Sequence, residues 1–205
     1  MKRTICVLLA LVMLLALAAC GKKAEPAPAP APDLGPVEPF EGVCHAEITV
    51  KNYGVIKVEL DGSAAPISVG NFVQLAKAGF YNGLTFHRII DGFMIQGGDP
   101  QGDGFGGSGR MIKGEFKQNG VDNPISHVKG VISMARGDEN DSASSQFFIT
   151  VADSTFLDGY YAAFGHVTEG MELAEQIARD AKPVDDNGTI PPEQQPVIES
   201  IVITD

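Results

Sequence analysis

Between Phe86 and Asp99 the chain reads FHRIIDGFMIQGGD, a run of aromatic and branched residues that also carries His87, Arg88, Gln96 and Asp99. A guanidinium stays charged, and its donors form a rigid fork. Together with an amide it can hydrogen-bond and polarise, but it supplies no nucleophile. In a strand, period two places Arg88 on the face of Phe86 and Ile90, with His87 on the opposite face. A cation on an otherwise apolar face points to binding or to electrostatic stabilisation.

Other chemistries find little support. The four histidines, His45, His87, His127 and His166, show no metal-ligand spacing. The acidic run GDENDS (137–142) lacks the twelve-residue calcium-loop pattern and reads as a solvated turn. Gly102-Asp-Gly104-Phe-Gly-Gly107 matches a dinucleotide fingerprint in letters, but polar loop continues on both sides of it, where a strand and a helix are required. Gly-x-Ser-x-Gly is absent. No cofactor and no metal are expected. The formal charge is −11; residues 1–19 hold Lys2, Arg3 and no acid, so the remainder carries 13 basic against 26 acidic side chains. A chain that acidic repels phosphate backbones, which argues against nucleic acid as a partner.

The elements that must position these residues follow from periodicity. AEITV (46–50) and VIKVEL (55–60) alternate around Asn52-Tyr53-Gly54 and predict a hairpin. Pro66 suits a first helical turn, and apolar residues recur at helical spacing until Gly79. Further strands are expected at Thr85–Ile90, Phe93–Gly97, Gly130–Ala135, Gln146–Val151, Ala162–Val167 and Val197–Thr204, with a second helix from Met171 to about Ala181. Eight short strands with two helices and no regular βα alternation predict a mainly β domain, a closed eight-stranded antiparallel barrel with two capping α-helices, over residues 44–205. The glycine-rich stretch GGDPQGDGFGGSGR (97–110) must be a surface loop with a job.

Before the domain, Lys2 and Arg3, an apolar run from Ile5 to Leu17 and small residues up to Cys20 read as a secretion signal over residues 1–19. Its ending, Leu17-Ala18-Ala19-Cys20, resembles the bacterial lipoprotein signal, which implies lipidation of Cys20 and an envelope location with membrane attachment through that lipid. An ordinary cleaved signal or an uncleaved anchor are the alternatives. Residues 20–43, rich in Ala-Pro, read as an extended tether. Cys44 is then the one remaining thiol, so no intramolecular disulfide is expected.

The stretch 86–99 also resembles the signature of the cyclophilin family of peptidyl-prolyl isomerases, and GVISMAR (130–136), SSQFFIT (144–150) and FLDGYYAAFGHV (156–167) match in the family's order. The resemblance covers about residues 45–205. It implies an enzyme that accelerates X–Pro rotation in unfolded or partly folded chains, with a binding module for proline-containing segments as the alternative. A monomer is expected. The X–Pro barrier is roughly 18–20 kcal/mol because the amide is conjugated. Once twisted, its nitrogen regains a lone pair, and a donor aimed there binds the transition state preferentially. Arg88 is the candidate donor. The resemblance assigns the proline slot to Phe93, Met94, Phe148 and Leu157. Gln96 and Gln146 would bond the substrate or orient Arg88, and the backbone at Ala135 and Arg136 would align it. His87 is expected to make a structural hydrogen bond, since rotation transfers no obligatory proton. Phe156 stands where cyclosporin-sensitive members carry Trp, which implies weak cyclosporin binding. Tyr161 and Arg136 replace the His and Asn of many members, a change that bears on substrate preference.

Overall fold

The computed structural model describes residues 34–205; the signal segment, Cys20 and the first part of the tether lie outside the described residues. The strands are β1 (Val43–Val50), β2 (Gly54–Asp61), β3 (Thr85–Ile90), β4 (Met94–Asp99), β5 (Val131–Met134), β6 (Phe147–Thr150), β7 (Ala163–Glu169) and β8 (Ile198–Ile203). Two helices, α1 (Pro66–Lys77) and α2 (Met171–Asp180), complete the frame. All the paired strands are antiparallel and form one sheet in the order β3-β4-β6-β5-β7-β2-β1-β8.

The sheet curls into a half-barrel and does not close, which corrects the expected closed barrel. Its two ends, β3 and β8, meet through a bridge between Thr85 and Val197 and the bonds Ile198 N–H to Leu84 O (2.7 Å) and Phe86 N–H to Pro196 O (2.9 Å). Beyond Phe86 the edge of β3 is covered by the loop before β8: Ile89 N–H donates to Gly188 O, and Ile190 N–H to His87 O. The reason is compositional. Pro183, Pro191, Pro192 and Pro196 cannot donate to a ladder, so this segment shields the edge without extending the sheet.

Register lays out two parallel rows across β3, β4, β6 and β5. Ile89, Ile95, Ile149 and Ile132 are successive cross-strand partners, all fully buried in the core. The next row is Arg88, Gln96, Phe148 and Ser133. Each buried isoleucine contributes about 1.5–3 kcal/mol, and a one-residue slip would instead drive Arg88 and Gln96 into the core, so burial decides the register.

A bulge at His87 aligns these rows. Phe86 pairs with Gly97 and Arg88 with Gln96, so two steps on β3 oppose one on β4. Phe86 and Ile89 therefore both enter the core, and Arg88 and Ile90 face out, which corrects the expectation that Arg88 shares a face with Phe86. Gly97 opposite the bulge is required, because a Cβ there would lie 2.7 Å from Thr85 O.

Helix α1 lacks a side-chain cap of its own. Buried Glu115 supplies it from 47 residues away, accepting from the N–H groups of Ile67 (2.9 Å) and Ser68 (2.7 Å) and from the Ser68 hydroxyl (2.7 Å). Phe72 of α1 packs against Tyr81, Phe147 and Phe164 at centroid distances of 5.1–5.4 Å. Helix α2 buries Ala174, Ile177 and Ala178, one helical stripe. Residues 34–42, assigned to the tether by composition, lie against the domain: Leu34, Val37 and Phe40 pack on the core, and Arg110 donates to Gly35 O.

Candidate functional site

On the outward side of β3, β4 and β6 lies a cleft of about 500 Å³. Its floor is a small apolar cluster separate from the main core, formed by Met94, Phe148 and Leu157 with Ile90, Phe93, Ala135 and Tyr161 against it. Leu157 and Phe156 sit on a single 3-10 turn, Thr155–Leu157. Phe156 is 68% exposed and its ring lies 5.5 Å from that of Phe93, while Tyr161 meets Phe148 edge-on at 6.0 Å. Four rings, a thioether and a leucine suit a flat, apolar guest.

Arg88 stands at one side of this floor. Its Nε donates to Asn187 O (2.8 Å) and one terminal nitrogen to Gln96 Oε1 (3.0 Å), with Met94 Sδ at 3.9 Å. Among the described residues Arg88 has no ion pair with a carboxylate and its second terminal nitrogen has no hydrogen-bond partner. Burial pulls its pKa down, against Tyr161 and Asp185, but a guanidinium remains charged. The fork is thus clamped on one side and unengaged on the other.

The clamp continues as a chain of amides. Because a guanidinium only donates, Gln96 must present its oxygen to Arg88, and its Nε2 then donates to Gln146 Oε1 (2.9 Å). Gln146 Nε2 in turn donates to the carbonyls of Gly104 (3.0 Å) and Gly106 (2.8 Å). Gln96 thus bonds Arg88 directly, while Gln146 reaches it only through Gln96. Gln146 lines an adjoining cleft of about 370 Å³, which shares Gln96, Ala135 and Arg136 with the first.

The glycine-rich loop is the far wall. Gly102, Asp103, Gly104 and Phe105 line the cleft, with Phe105 90% exposed. Its organiser is Asp99, 1% exposed, whose carboxylate accepts from the N–H groups of Gln101 (2.8 Å), Asp103 (3.2 Å) and Gly104 (2.6 Å). Sequence reasoning quoted Asp99 without finding this role. An Asp opening a run of glycines is the signal that could have revealed it.

Arg136 is committed locally. Its Nε donates to Tyr160 O (2.9 Å), one terminal nitrogen to Gly137 O (2.8 Å), and its guanidinium lies 5.1 Å from the Phe116 ring and 4.9 Å from the Tyr161 ring. The side chain therefore props Tyr161 against the floor. His87 departs from expectation. Gln146 lies close, but its amide hydrogens go to Gly104 and Gly106, and both buried ring nitrogens of His87 lack a hydrogen bond among the described residues. Burial holds its pKa below the usual histidine range, so it stays neutral. His127, absent from the sequence-based site, stacks beneath Phe148 of the floor and is bonded to Asp158, also absent from it. Among the described residues no group of three or more His, Cys, Asp or Glu could hold a metal, and no helix is long and apolar enough to cross a membrane.

Comparison with known proteins agrees with this geometry. Residues 45–203 match the family model "Cyclophilin type peptidyl-prolyl cis-trans isomerase/CLD". Peptidyl-prolyl cis-trans isomerase A of Dickeya dadantii is 47% identical over 131 residues, 62% of this chain and 67% of the relative. Peptidyl-prolyl cis-trans isomerase B of Bacillus subtilis is 46% identical over 123 residues, 60% and 82% respectively. A Cryptosporidium parvum cyclophilin type peptidyl-prolyl cis-trans isomerase superposes with a TM-score of 0.69 at 32% identity, covering 80% of this chain and 98% of that one. The same protein was also solved in the presence of the dipeptide Ala-Pro (TM-score 0.68). With sequence, fold and cleft in agreement, the chain belongs to the cyclophilin-type peptidyl-prolyl cis-trans isomerases.

Proposed function

We propose that the chain accelerates X–Pro rotation in envelope proteins by hydrogen bonding from Arg88 to the proline nitrogen of the twisted amide. The observation that carries this reading is the half-engaged guanidinium: held by Gln96 and Asn187, free of any carboxylate partner, and open toward an apolar slot. A donor fixed in place before the reaction needs no reorganisation when the nitrogen's lone pair appears, and that is what makes such groups effective. The slot of Phe93, Met94, Phe148, Phe156 and Leu157 receives the ring. Tyr161 and the Ala135–Arg136 backbone hold the peptide, so that only the Pro-side amide turns. Clients are proline-containing chains not yet folded, and the protein acts as a monomer held at a membrane by lipid on Cys20.

Cis–trans exchange of a short Ala-Pro peptide, measured with wild type and Arg88→Ala, tests the mechanism. Loss of about 2 kcal/mol or more of transition-state stabilisation is expected. Equal rates would remove Arg88 from the mechanism, and undiminished peptide binding without turnover in either protein would favour a binding module. Labelled-lipid incorporation into wild type but not Cys20→Ala tests the anchor.

A further inference from the structure

His127 is 1% exposed and joins three parts of the molecule. Its Nδ1 lies 2.9 Å from Asp158 Oδ1 and its Nε2 3.0 Å from Ser133 Oγ. Its ring stacks on that of Phe148, with an interplanar angle of 17° at 6.1 Å. Asp158 directly follows the turn that carries Phe156 and Leu157. It also accepts from the backbone N–H of His127 (2.7 Å) and from the Ser126 hydroxyl (2.5 Å). The turn is tied a second time, since Ser154 N–H donates to His127 O (2.7 Å) and Leu157 N–H to Ser154 O (2.9 Å).

The proton positions follow from the partners. Burial lowers the His127 pKa and favours the neutral ring; a carboxylate only accepts, so Nδ1 carries the one hydrogen, Nε2 is the acceptor, and the Ser133 hydroxyl donates to it. Serine, histidine and aspartate in this contact order are the parts of a hydrolytic triad. Here, however, Ser133 is fully buried between Phe148 and the histidine, and no substrate can reach it. The same linkage has a different use. Within the floor of the proline slot Phe148 comes from β6 and Leu157 from a turn, and sheet and turn meet at this ring.

We propose that His127 is a positioning residue that sets the width of the proline slot, holding the Phe156–Leu157 turn at a fixed distance from Phe148. The proposal rests on the reading of this cleft as the proline site. His127 touches no client. It transmits the position of β5, through Ser133, to the turn, through Asp158.

The test compares His127→Phe, which keeps a stacked ring but neither hydrogen bond, with His127→Asn, whose amide can still donate to Asp158. Affinity for an Ala-Pro peptide is read by calorimetry, and kcat and KM are read separately in the exchange assay. In His127→Phe, folded by circular dichroism, the Kd and KM should rise about tenfold with kcat changed less than threefold. His127→Asn should recover most of that loss. A residue that only stabilises the fold would lower Tm and leave Kd and KM of the folded protein at wild-type values, and that result overturns the proposal. If His127→Phe does not fold, the same readings on Ser133→Ala and Asp158→Asn replace it, and wild-type Kd in both overturns it equally. Arg88→Ala runs beside them: wild-type turnover there sinks the catalytic reading of the cleft, whereas the Kd of the His127 variants judges the slot independently.

Discussion

Replacing Gln96 with leucine, a residue of similar volume, cuts the amide chain at its middle link. Arg88 loses the acceptor 3.0 Å from one terminal nitrogen, and Gln146 loses the donor 2.9 Å from its oxygen. A hydrogen bond to a charged group contributes about 1.5–3 kcal/mol, but only the part that steers the guanidinium toward the twisted amide matters for the rate. The second clamp, Arg88 Nε to Asn187 O at 2.8 Å, survives. Roughly half of the orienting effect should therefore go, about 1–1.5 kcal/mol, or near tenfold in kcat/KM. Arg88→Ala removes the donor itself and should cost about 2.7–4 kcal/mol, a factor of 10²–10³. On the proposed role of Gln96 as the group that orients Arg88, the double variant should be no slower than Arg88→Ala alone. Exchange of an Ala-Pro peptide measured for all four proteins closes the cycle. Wild-type kcat/KM in Gln96→Leu, or a double variant slower by a further tenfold, would refute the orienting role.

Three other outcomes are expected. A Cβ at Gly106 would sit 2.0 Å from Asp99 Oδ1, so Gly106→Ala should displace the carboxylate that organises the cleft wall, weakening peptide binding severalfold in calorimetry. The C-terminal clasp of His45 and Asp205 should be pH-sensitive. The hydrogen bond to Asp205 raises the His45 pKa, so its contribution is complete below about pH 6.5 and fades as pH rises through the folded value; the lowered Asp205 pKa makes the same clasp fade below about pH 3.9. The Tm difference between wild type and Asp205→Asn should accordingly be largest between these limits. Phe156→Trp places an indole N–H at the exposed rim and should tighten cyclosporin binding by about tenfold relative to wild type, read by calorimetry.

Strand positions were largely legible because alternation survives within each strand: β3 lies at Thr85–Ile90 as expected, and α2 begins at Met171. Interruptions of alternation were not. The bulge at His87 shifts the phase by one residue, and nothing in FHRII marks it until Gly97 is seen opposite. The open seam escaped for a related reason, since counting eight strands does not say that the sheet ends, β3 and β8, meet through a bridge rather than a ladder, and the prolines of the segment covering the β3 edge lie outside the strands. That Arg88, Gln96, Phe93, Met94, Phe148 and Leu157 share one cleft was legible through their motifs. His127, Asp158, Asp99 and Glu115 were not, because each acts on residues that are neighbours only through the fold, as with Glu115 capping a helix 47 positions away. Residues 34–42 looked like linker by composition, and three apolar side chains among prolines were too few to suggest docking.

The paired rows across β3, β4, β6 and β5 bear on how such a protein can vary. Point replacements in the outward row change one contact at a time, while the isoleucine row keeps the strands where they are. Gaining or losing a single residue inside any of these strands would exchange the two rows, placing a guanidinium in oil and an isoleucine in the cleft. Length changes are therefore confined to the connecting segments, and an engineer wishing to reshape client choice should graft there and leave the spacing between Arg88 and Phe148 untouched.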